Sequence, residues 1–221
     1  MSRGLGDVYK RQDQTIREPE RSSEVPKPYY GTTFSKSQIN NALQSENPYE
    51  IVPSRDENGH GTFMAGIAAG GKNGENDFTG IATGAELAVV KLKEAKPYLK
   101  DYFGVPEGVP AYQETDIIYA VHYLLKYAEQ RRLPISIFIG LGTSNGGHLG
   151  LTFLERYLNI ILENAGIIVS APAGNEGNER LHYSGELKEN AEYEEVELNV
   201  DGGQDLSLIH ISEPTRHSLI S

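Results

Sequence analysis

Three short, almost uninterrupted apolar runs, separated by two stretches of helical period, constrain the fold of this chain more than any other feature. Residues 86–92 (ELAVVKL), 134–141 (PISIFIGL) and 166–171 (GIIVSA) are rich in branched aliphatic residues and read as buried strands. Between the first two, residues 116–131 place Ile117, Ala120, Val121, Leu124, Leu125 and Ala128 on one helical face. Asp116 opens that helix and Arg131 closes it, the signs the helix dipole favours at each end. Residues 151–164 repeat the period with Leu154, Leu158, Ile161 and Leu162. A strand without polar alternation has to be covered on both faces, and parallel neighbours need right-handed crossovers. The pattern predicts an α/β fold in three layers, a parallel sheet with helices on both faces.

The rest of the chain is punctuated differently. Residues 93–113 contain Pro97, Pro106 and Pro110 and read as a long inserted loop. Residues 191–200 (AEYEEVELNV) alternate acidic and apolar, as a strand with one wet face does. Residues 1–12 and 206–221 resemble translated sequencing-adapter text and are expected to be extraneous, leaving 13–205 as the native part of a longer gene product. The chain carries 20 basic and 31 acidic residues, a net charge of −11, which argues against a protein that grips a phosphate backbone. It has no cysteine, and so no disulfide, no thiolate metal site and no thiol nucleophile. No apolar run approaches the roughly 18 residues of a membrane helix, and no secretory leader is legible. His60, His122, His148 and His182 do not fall at short metal-ligand spacings, so no metal or other cofactor is expected from the sequence.

Chemistry concentrates in glycine-flanked segments. In residues 55–70 (RDENGHGTFMAGIAAG), Gly59 and Gly61 bracket His60 just before a helix of small residues that can pack close to a sheet. In residues 166–177 (GIIVSAPAGNEG), an apolar strand ends in a sharp turn that carries Asn175, and a carboxamide so fixed can aim a donor where negative charge develops. Taken singly, an exposed histidine and a turn asparagine are the plainer readings. Between them, Gly140, Leu141 and Gly142 end the second strand, where small residues let an extended peptide lie along a strand edge. The same stretch, Gly142-Thr143-Ser144-Asn145-Gly146, also fits the loose Gly-x-Ser-x-Gly elbow of α/β-hydrolases, with Ser144 as nucleophile.

The string His-Gly-Thr-x-x-Ala-Gly-Ile-Ala-Ala-Gly from His60 resembles the histidine motif of subtilisin-like serine peptidases, and Ala173-Gly174-Asn175 follows in that family's order. The segments DQTI at 13–16, PYYGTTFSKSQIN at 28–40 and IVPSRDENGHGT at 51–62 further resemble a clostridial branch that includes spore-germination peptidases. The resemblance implies a serine endopeptidase acting on polypeptide substrates through an Asp-His-Ser triad. His60 would be the base, Asn175 the oxyanion donor, and Gly140–Gly142 the substrate-aligning strand. The triad's other two segments are not matched. Asp13 and Asp56 do not end apolar strands, and no Gly-Thr-Ser-x-Ala string follows Gly177. The chain by itself is therefore expected to be inactive, and a catalytically silent binding protein of the same fold stands as the alternative. Calcium is common in the family, but no ligand is assignable; residues 73–77 (NGEND) are equally a calcium loop and a solvated turn.

Overall fold

A computed structural model of the chain describes residues 8–16, 30–74, 77–143, 146, 149–179, 183–185, 193 and 197. The wet-faced strand expected over 191–200, apart from Tyr193 and Glu197, and the terminal stretch 206–221 lie outside the described residues. The chain divides into two compact units, residues 1–94 with 112–181, and residues 95–111 with 182–221.

The first unit has the expected α/β character. All three apolar runs are strands, β3 (Leu87–Lys91), β4 (Ile135–Phe138) and β5 (Ile167–Ser170). The two periodic stretches are helices, α5 (Glu114–Arg131) and α6 (Phe153–Leu162). Helix α6 starts on a capping box, in which Thr152 accepts from the Glu155 N–H and the Glu155 carboxylate accepts from the Thr152 N–H. Helix α5 ends with Arg132 in the left-handed region, φ 54°. β4 and β5 pair in parallel, in register from Ile135↔Ile167 to Phe138↔Ser170. Val121 of α5 and Ile161 of α6 bury Ile137 from one face, with Ile117, Leu124, Leu125 and Val169 around them.

The strands do not all share one sheet. Among the described residues, β3 pairs with β1 (Val8–Asp13), and β1 pairs with β2 (Thr32–Ser35), giving the order β2-β1-β3 beside a separate β4-β5 pair. β1 runs parallel to β3 and antiparallel to β2. Residues 8–12, expected to be extraneous, thus form most of the middle strand. The strand's polar sequence, VYKRQD, carries no apolar period, which is why it is not legible as one. Coverage is also uneven: the face of β4-β5 that carries Phe138 and Ile168 is exposed, and the helices lie on the other.

After β2, the capping box of Ser35 and Gln38 starts α1 (Lys36–Gln44), followed by the single turn α2 (Pro48–Ile51). Phe34, Ile39, Ala42 and Val52 make a second small core there. Helix α3 (His60–Ala69) follows, and its small residues meet the next turn closely: a Cβ on Gly80 would lie 2.7 Å from the Gly66 carbonyl. In the second unit, the proline-rich insert is not wholly a loop. Pro97 starts a helical turn, α4 (Pro97–Tyr102), as proline can at a first helical position. The insert is closed by the Ala95 N–H donating to Ala111 at 2.8 Å.

Candidate active site

His60 is the first residue of α3, and the chain reaches it through Gly59 at φ 85°, a left-handed turn that a residue with a side chain enters at a cost. A helix start leaves N–H groups without partners in the helix. The preceding loop supplies acceptors for them. The Asp56 carboxylate accepts from the Gly59 N–H at 2.8 Å, the Thr62 N–H at 2.9 Å and the Thr62 hydroxyl at 2.6 Å. The Asn58 side chain accepts from the His60 N–H at 3.3 Å. Partial burial alone would raise the Asp56 pKa, but the bonds from the Thr62 hydroxyl and from the Gly59, Thr62 and Asn58 N–H groups outweigh it and hold the carboxyl below its ordinary range.

The His60 imidazole is solvent-exposed and faces the end of β4, its Cε1 lying 3.6 Å from where a Cβ on Gly140 would stand. A Cβ on Gly140 would also come within 2.9 Å of the Phe138 ring, so that exposed ring would have to shift to admit a side chain. Ile139 continues the ladder by donating to the Ser170 carbonyl at 3.0 Å, so Gly140 leaves β4 beside the end of β5. Leu141 is half-buried and Gly142 exposed. Beyond β5, Gly174 takes a left-handed φ of 87° and turns the chain into Asn175, which is exposed. The Asn175 N–H donates to the Glu176 carboxylate at 2.9 Å. His60 and Gly140 are brought together, and Asn175 lies past the end of the strand paired with Gly140's. Ser144 and His148 lie outside the described residues, and the next helix begins only at Phe153, far from the immediate helix start that a nucleophile elbow needs.

One carboxylate weighed in the sequence and left unmatched there is Asp13. Asp13 is the last residue of β1, fully buried, at the carboxyl end of a strand parallel to β3. Its Oδ1 accepts from the Thr15 N–H at 2.8 Å and the Thr15 hydroxyl at 2.5 Å; its Oδ2 accepts from the Ser54 hydroxyl and lies 3.8 Å from the Lys91 ammonium. Arg11 donates to Ser54 at 2.8 Å, its own pKa lowered by burial against the pull of Asp13 and Asp56. The next residue, Gln14, donates to the Asp116 carbonyl at 3.0 Å and accepts from the Lys93 N–H at 3.3 Å. Asp116 is not simply a dipole-facing charge at an open helix end: it is buried, paired with Lys93 at 3.2 Å, and accepts from the Tyr30 hydroxyl. The local signal for Asp13 was the DQTI string alone, since the strand before it is polar. Among the described residues no group of three or more histidines or carboxylates could hold a metal ion.

A family model, that of the subtilase family, matches residues 27–200. Among solved structures, the Clostridium perfringens CspB protease is similar, with 28% sequence identity and a TM-score of 0.63. The match covers 79% of this chain but only 34% of that one, so the chain spans about a third of its structural relative. No curated protein matches the sequence.

Proposed function

The chain belongs to the subtilase family, and from that membership we propose that it carries the histidine base and the oxyanion amide of a serine endopeptidase. The observation that carries the reading is that the His60 imidazole faces Gly140 at the end of β4, its Cε1 3.6 Å from where a Cβ on that glycine would stand. A base has to stand beside the scissile amide, and a strand end without side chains is where an extended peptide can be laid down. His60 would take the proton of a serine hydroxyl as it attacks the amide carbon, then return it to the leaving amine. The Asn175 carboxamide would donate to the oxygen that gains charge in between, an interaction worth on the order of 100- to 1000-fold in rate for one donor. Gly140, Leu141 and Gly142 would align the substrate backbone.

Asp13 is not assigned as the triad's acid, because its oxygens are taken by Thr15 and Ser54 and, among the described residues, no bond joins it to His60. It ends a buried strand at the carboxyl edge of a parallel pair, and burial with several donors keeps such a group fixed. The nucleophilic serine is not among the residues assigned, so these 221 residues alone should not hydrolyse peptides. Two measurements test the reading. A fluorophosphonate probe should fail to label the chain; labelling that His60→Ala abolishes would overturn the inactivity. Titration with an unstructured peptide should shift the amide resonances of Gly140, Gly142 and Asn175 together with the His60 ring. A titration that moves none of them would defeat the assignment of the cleft.

A further inference from the structure

Resting on the reading of His60 as the base, we propose that Asp56 is the positioning residue for that imidazole. The loop 56–62 is closed on itself by one carboxylate, which takes donors both before His60, from Gly59, and after it, from Thr62. His60 sits at the crown of this closed loop. Its own N–H is taken by Asn58, the residue between Asp56 and the left-handed Gly59.

The geometry leaves the ring few other restraints. It is exposed to solvent and faces Gly140, which offers no side chain to grip. Helix α3 itself begins at His60, so the first turn has no earlier turn to hold it. A shift of that turn carries the ring with it, away from or into the β4 end. At Gly61 a Cβ would stand 3.7 Å from Asp56 Oδ2, an ordinary contact, so the closure does not depend on glycine there. Gly59 permits the backbone turn that points its N–H back at the carboxylate. Asp56 works as an anion, since a neutral carboxyl has one fewer free oxygen for three donors. Its pKa, held below the usual carboxylate range by those donors, keeps it charged wherever a histidine base is useful.

The test reads position rather than turnover, so failure of the Asp56 proposal leaves the role of His60 standing, and a chain without activity still answers the question. In the whole chain, the nuclear Overhauser contact between the His60 Cε1 proton and the α-protons of Gly140 is compared with amide protection in the rest of α3, Ala65–Ala69. A drift of about 1 Å is enough at a catalytic base to cost on the order of 100-fold in rate, and it weakens that contact severalfold, since the effect falls with the sixth power of distance. Asp56→Asn is expected to weaken it by that amount with Ala65–Ala69 still protected. Thr62→Val, which removes one hydroxyl from the closure and no charge, is expected to weaken it less and covers the case in which Asp56→Asn does not fold. An unchanged contact in both variants would overturn the proposal. So would loss of the contact only in parallel with protection of α3, which would make Asp56 a helix cap and nothing more.

Discussion

The ends of β1 and of β5 make a useful contrast, because each carries a polar side chain and the fold treats the two in opposite ways. Asp13 is wholly buried and its oxygens are met by Thr15, Ser54 and Lys91. Asn175 stands in solvent on a glycine turn. A buried charge is tolerated only when donors surround it, so the β1 end is a packed polar cluster. A group meant to meet a substrate oxygen has to keep its donor available, so the β5 end is thinly held. One end should contribute to stability, and the other should contribute little to it.

Four substitutions can break or sharpen that contrast, each followed by urea unfolding of the whole chain. The largest effect belongs to neither end but to the core that supports the β5 side. Ile137→Ala opens a cavity between α5, α6 and the β4-β5 pair and should cost about 3 kcal/mol. Asp13→Asn keeps the shape but swaps two acceptor oxygens for one and points an amide at donors; a loss of about 2 kcal/mol is expected. Ser54→Ala removes a single donor from the same carboxylate, and about 1 kcal/mol should follow. Asn175→Ala should stay within about 0.5 kcal/mol of wild type, as exposed substitutions usually do. Were Asn175→Ala to destabilise as much as Ser54→Ala, the two ends would not differ in kind.

The pH dependence sharpens the same contrast. The Asp56 carboxyl is depressed in the fold, so its contribution is present above the ordinary carboxylate range and is lost as pH falls through the lower folded value. Tyr30 behaves with the opposite sign. Burial, then its hydrogen bond to Asp116, raises its pKa, so that contact is intact below the ordinary tyrosine range and is lost only as pH rises through the higher folded value. Acid should therefore loosen the exposed His60 loop, seen at the Gly59 and Thr62 amide resonances, while the Tyr30 contact, followed by tyrosinate absorbance, survives to strongly alkaline pH.

How much was legible in the sequence varied with how local the signal was. The face of α5 that carries Ala120, Val121 and Ala128 is buried as its period implies, because a helix repeats its environment every few residues. The Thr152–Glu155 box and the left-handed turns at Gly59 and Gly174 are also local matters of backbone chemistry. β1 was not legible, because its polar residues satisfy no strand pattern by themselves and the strand is held by ladders to β2 and β3. Asp116 has the sequence signature of a dipole-facing residue, yet Gln14, Tyr30 and Lys93 reach it from distant parts of the chain.

By itself the sequence determined the strands β3, β4 and β5 and the helices α5 and α6, though not α4, and which glycines bend the chain beside His60 and Asn175. It also carried the motifs by which the chain belongs to its family. Only the tertiary structure decided that β3 and β4 lie in different sheets, that Asp13 is sealed among donors, and that His60 faces Gly140. The physical reason is range. Periodicity and turn chemistry act over a few residues, whereas desolvating a carboxylate or setting a ring against a strand end depends on groups that only the folded chain brings together.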